Sequence, residues 1–99
     1  MRKPQLGQIV SVLQGRDAPS YAVIVEIVDS RFVRIADGHK RKFDQAKKKS
    51  LLHLKLHDAV SSEVGDSLRE TGRVTNGKLR FALSKVQASR EHEAQERGE

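Results

Sequence analysis

The spacing of apolar and polar positions changes character near residue 58. Before that point the apolar residues come in short runs or alternate, and after it they recur at helical spacing. Gln8 to Leu13, QIVSVL, follows Gly7 with β-branched residues and predicts a first strand. Tyr21 to Asp29, YAVIVEIVD, is the strongest strand signal. Tyr21, Val23, Val25 and Ile27 share one face, while Ala22, Ile24 and Val28 leave Glu26 as the charged residue of the other. A strand apolar on both faces belongs in a small closed or strongly curled sheet. After a turn at Asp29, Ser30 and Arg31, Phe32 to Ala36 predicts a third strand. The dipeptide Asp37-Gly38 is a hairpin signal that predicts His39 to Phe43 as a short partner strand. Leu51 to Leu56, LLHLKL, supplies a fifth, with Leu52, Leu54 and Leu56 alternating with His53, Lys55 and His57. Short strands joined by tight turns at this density predict a small β-barrel.

Beyond Asp58 the pattern is helical. Ser61 to Thr71 reads as a short helix with Ser61 or Ser62 as N-cap and Gly72 just past its end, although Gly65 inside it weakens the signal. Thr75 or Asn76 caps a second helix, in which Leu79, Ala82, Leu83 and Val86 form a stripe able to dock on the barrel. From Ser89 onward no apolar stripe remains, and the helix is expected to fray into a solvated end. The predicted organisation is a barrel over residues 1–57 and a helical C-terminal extension over 58–99. The fold class is mainly β with an α-helical appendage.

Composition narrows the function. A chain of 99 residues forms one small core without a deep enclosed cleft. Aromatics are only 4% of it, so Val, Ile and Leu must build that core. Cysteine is absent, which removes disulfides, thiolate metal sites and cysteine nucleophiles. The basic start, MRKPQLGQ, precedes no signal-peptide apolar run, and no stretch reaches membrane-spanning length, so the expected location is the cytoplasm. No P-loop, nucleophile elbow or carboxylate pair suited to a raised pKa is present, and the expectation is a protein that is not an enzyme and uses no cofactor or metal. His53 and His57, four apart, would hold zinc on a helix, but on a strand they stand about 13 Å apart.

Charge is distributed unevenly. Residues 1–57 hold twelve Lys and Arg against five Asp and Glu, and residues 58–99 hold seven against eight. An excess confined to the first part points to a polyanion, since clustered cations neutralise phosphates and release counterions. The densest stretch is HKRKFDQAKKKS, with His39, Lys40, Arg41, Lys42, Lys47, Lys48 and Lys49 against Asp44 alone. A solubilising loop is the plainer account of that run. The turn GRDAPS carries Arg16, which can fork onto phosphate or stack on a base, beside Asp17, which can orient it, and ends at Ser20. Its plainer account is a surface turn with an ion pair. Phe32 and Phe43 suit core packing better than base stacking in so aromatic-poor a chain, while Tyr21 sits at the mouth of the turn with an apolar ring and a polar tip.

GQIVSVLQGRDAPSYAVIVEIVD, followed by FVRIADG and a lysine cluster, resembles the KOW motif. From about Leu6 to Leu56 the chain is similar to small bacterial KOW-domain RNA-binding proteins, relatives of KOW-class large-subunit ribosomal proteins of archaea and eukaryotes. The resemblance implies an SH3-like β-barrel that binds structured ribosomal RNA through the loop between its first two strands and neighbouring basic loops. The implied contacts are Arg16, Ser20, His39, Lys40, Arg41, Lys42, Lys47, Lys48 and Lys49. The implied setting is ribosome-associated, with ribosomal proteins as further partners, no membrane, and a monomer when free. One position departs from the pattern: Pro19 stands where such proteins usually carry glycine, and its fixed φ excludes a left-handed backbone there. A protein-docking KOW module of the transcription-elongation type is the second reading. An SH3 adaptor for proline-rich peptides would need an aromatic groove that one Tyr and no Trp cannot build.

Overall fold

A computed structural model describes residues 3–13 and 20–97, with side chains up to residue 86. Five strands, β1 (Gln8–Val12), β2 (Ser20–Ile27), β3 (Phe32–Ala36), β4 (Lys47–Ser50) and β5 (Leu54–Val60), precede two helices, α1 (Ser62–Thr71) and α2 (Asn76–Arg97). All strand pairings are antiparallel, in the order β4-β3-β2-β1-β5, with β4 and β5 as the edges among the described residues.

Two cores use the two faces of this sheet. The inner core holds Val10 and Val12 of β1, Ala22 and Ile24 of β2, Val33 and Ile35 of β3, and Leu54 of β5. No helix residue joins it, so the sheet buries that face by curling over it, with Leu51 and Leu56 at the margin. The outer core takes the alternate residues Ile9, Val23, Val25 and Ala36 and covers them with Val64 and Leu68 of α1, Val74, and Leu79, Ala82 and Leu83 of α2. The apolar runs on both faces of β2 are therefore explained by a curl on one side and helices on the other. Val25 follows Val23 into the outer core, and a register shift between Ile24 and Glu26 brings Glu26 opposite Arg34 on that same side, where it is exposed.

The helices form for local reasons visible in their ends. The Ser61 hydroxyl accepts from the Val64 amide at 3.2 Å, and α1 closes at Gly72, whose amide returns to the Leu68 carbonyl at 2.8 Å. The glycine that weakened this helix in the sequence is there for close approach. A Cβ on Gly65 would lie 3.1 Å from the Leu6 carbonyl oxygen, and the same contact lets the Ser61 amide donate to Gly7 at 2.8 Å. In α2 the Thr75 hydroxyl accepts from the Lys78 amide at 3.2 Å, Leu79 is fully buried, and the helical backbone runs to Arg97. No helix among the described residues is long and apolar enough to cross a membrane.

Three expected features are corrected. His39 to Phe43 is not a strand, because Asp37-Gly38 does not open a two-residue hairpin. The Asp37 carboxylate accepts from the amides of His39 and Arg41, both at 2.8 Å, which winds the chain into a longer turn. Gly38 takes φ +77° directly beneath α2, where a Cβ would strike the Asn76 carbonyl oxygen. A 3-10 turn, Phe43–Gln45, follows, held by the Phe43 amide donating to the Asn76 side chain at 2.8 Å. The strand that pairs with β3 is thus the lysine run itself, which was read as a loop. Leu51 to Leu56 is also not one strand: Leu51–His53 is a second 3-10 turn with Leu52 88% exposed, and β5 begins at Leu54. The Ser50 hydroxyl accepts from the Leu52 amide and starts that turn, which carries the chain from one sheet edge to the other.

Candidate nucleic-acid interface

Pairing with β3 sets where the lysines point. Lys47 is opposite Ile35 and Lys49 opposite Val33, so these two fall on the inner-core side of the edge. Lys48 is opposite Arg34, on the other side. Cations therefore project to both sides of one edge strand, with Lys47 and Lys48 exposed and Lys49 half-buried. Residues two apart on a strand share a face, and Phe32, Arg34 and Lys48 accordingly form one patch. Lys48 Nζ sits 4.6 Å from the centre of the Phe32 ring, a cation–π contact that orients the ammonium and keeps the half-buried ring at the surface. Arg34 Nε lies 3.6 Å from Glu26 Oε2, a loose exposed pair that leaves most of the guanidinium's donors available.

The turn before β3 adds a fixed anion to this patch. Asp29 Oδ1 accepts from the amide of Arg31 at 2.8 Å and of Phe32 at 2.9 Å. The Arg31 amide foremost holds the Asp29 carboxyl below the ordinary aspartate value; desolvation opposes it, and the Phe32 amide and the charges of Lys48 and Arg31 add to the lowering. A carboxylate held low in the fold stabilises it above the unfolded value, and that stabilisation is lost as pH falls through the folded value. An NMR titration of the Asp29 side chain is expected to have its midpoint below 3.8, and Lys48→Gln to move it upward. A midpoint at or above 3.8 would contradict this geometry.

The other predicted residues form a second group at the opposite end of β3. Val23 pairs with Ala36, so the start of β2 and the exit of β3 lie side by side. Ser20, His39 and Lys40 line one open groove there, of about 450 Å³, together with Arg80 of α2. Arg41 is half-buried and reaches back to the Gln45 carbonyl at 3.4 Å, and Lys42 is exposed just before the first 3-10 turn. Arg16, with Asp17 and Pro19, lies outside the described residues. His53 and His57 are on different elements, and His57 Nε2 and the Ser11 hydroxyl are 2.6 Å apart on adjacent strands.

Arg31, Arg34 and Arg80 belong to these groups and were missed in the sequence. Arg34 had a signal, being the polar member of Phe32-Val33-Arg34-Ile35. Arg80 had none, because only the docking of α2 against Gly38 brings it to the groove.

No family model matches the chain. Over 71 residues, 72% of its length, it is 45% identical to a Bacillus subtilis (strain 168) protein named "Putative ribosome-binding protein YbzG", and the match covers 96% of that protein.

Proposed function

The chain belongs to the family of the Bacillus YbzG protein, and from that premise we propose that it is a non-enzymatic, ribosome-associated protein that binds structured ribosomal RNA. The observation that carries this reading is the edge strand β4, which turns Lys47 and Lys49 to one side and Lys48, opposite Arg34, to the other. Such an edge suits a backbone-tracking contact, in which cations gain affinity from phosphates and the curved sheet supplies the shape that must fit. We assign the fold to the KOW type of SH3-like barrel. Three features support that assignment: the five-strand order, the curl around a private inner core, and the 3-10 turn joining β4 to β5. The ribosome-binding name of the relative supports a ribosomal setting.

Cosedimentation with ribosomal subunits tests this directly. Retention is expected at low salt and is expected to fall steeply between about 50 and about 200 mM, as phosphate contacts predict. Absence of retention at low salt, with no binding to purified ribosomal RNA, would overturn it.

One observation favours docking on a protein instead. A cavity of about 630 Å³ opens between the free edge β5 and α2, with Val60 and a 52% exposed Phe81 at its rim. Retention that survives nuclease digestion of the RNA would favour that alternative.

A further inference from the structure

We propose that the groove between the Asp37–Arg41 turn and α2 is a subsite for one nucleotide of single-stranded RNA, with Arg80 as its phosphate anchor. This rests on the RNA-binding reading above and extends it, because it gives the helical layer a part in recognition.

The groove gathers polar groups from three separate segments: the Ser20 hydroxyl at the start of β2, His39 and Lys40 on the turn, and Arg80 and Ser84 on α2. Arg80 is already held in place, its Nη1 donating to the Gly38 carbonyl at 2.6 Å. A guanidinium fixed through one donor presents its remaining N–H groups with little ordering cost, which suits a phosphate better than a freely rotating lysine does. Asp37 also lines the groove, but its Oδ1 is engaged by the amides of His39 and Arg41, so its charge serves the turn.

About 450 Å³ falls within the range of roughly 300–1,000 Å³ typical of small-ligand sites, enough for one nucleotide. Tyr21, whose ring also meets His57 at 5.6 Å between centroids, lines the wall, and an aromatic residue beside cations suits a base attached to its phosphate. The Ser84 hydroxyl donates to the Phe81 carbonyl at 2.8 Å, which turns its oxygen lone pairs outward for a ribose hydroxyl. An acidic peptide would use the cations alone and have no need of the ring or the hydroxyls.

The test uses the full chain and a fluorescent single-stranded oligoribonucleotide, read by anisotropy across a salt series. Arg80→Gln is expected to weaken binding about fivefold to tenfold and to make the salt slope shallower by about 0.7, the share of one single-strand phosphate. Ser84→Glu places a negative charge on the exposed wall one helical turn from Arg80, where it repels phosphate and competes for the guanidinium. It is expected to weaken binding about tenfold with an unchanged melting temperature, so the test survives even if Arg80→Gln disturbs folding. Failure of the wild type to bind both subunits and oligomer would overturn the RNA reading and the subsite together. Wild-type retention on subunits with no oligomer binding, or with both variants binding the oligomer as the wild type does, would overturn the subsite alone. So would displacement of the oligomer by polyglutamate at equal charge concentration.

Discussion

Replacing Lys47, Lys48 and Lys49 together by glutamine is expected to weaken binding to ribosomal RNA about a hundredfold at about 0.15 M salt. Each cation that neutralises a phosphate of helical RNA contributes a slope of about 0.9 to the dependence of affinity on salt, so three contribute roughly two decades at that concentration. The same replacement is expected to flatten the slope by about 2 to 3, which a shape-only contact would not do. Glutamine keeps the length and polarity of the side chains, and the folded state loses little beyond the Lys48–Phe32 contact, worth about 0.5–1 kcal/mol at an exposed site. A different outcome would be equally informative. Lysines on an exposed edge strand also prevent edge-to-edge pairing between molecules. If the triple variant binds RNA normally but self-associates in sedimentation, β4 is a protected edge and the proposed interface lies elsewhere.

The second large effect concerns stability. Gly38→Ala is expected to cost about 2–5 kcal/mol, from two independent sources. An alanine held at φ +77° loses roughly 1–2 kcal/mol to backbone strain. Its Cβ would also strike the Asn76 carbonyl oxygen and approach the Leu79 side chain, and overpacking of that kind costs about 1–3 kcal/mol. The clash falls where α2 meets the turn, so relief requires the helix to lift, taking Leu79 out of the outer core and Arg80 off Gly38. Urea unfolding followed by circular dichroism measures the loss, and a change below about 1 kcal/mol would show that the turn and helix are not clamped together in solution.

Gly38 also shows why part of the fold was legible and part was not. Asp-Gly is a local turn signal, and a turn does form. Whether a strand follows immediately depends on Asn76 and Arg80, some forty residues later, which hold the turn down and delay the partner strand to Lys47. No local pattern carries that information. The lysine run concealed a strand for a related reason: lysine is a poor strand former, and only pairing with β3 along one side makes it extended. By contrast α1 was readable to within one residue at its start, where Ser61 and Ser62 both offered a cap, because Ser61 and Gly72 mark its ends by their own chemistry. β2 was readable because burial on both faces leaves an unbroken apolar run. Of the candidate interface, the charge was visible in the sequence and its arrangement was not. Pairing across the sheet separates Lys48 from its two neighbours, and helix docking adds Arg80.

The two cores differ in when the chain can complete them. Every residue of the inner core lies in the chain up to Leu56, and β5 is complete at Val60. Ile9, Val23, Val25 and Ala36 then face water until Val64, Leu68, Leu79 and Leu83 follow. A growing chain thus passes through an interval in which a finished sheet carries an uncovered apolar back, the kind of surface on which partly made proteins stick to one another. Synthesis of the last helix is the step that ends that exposure.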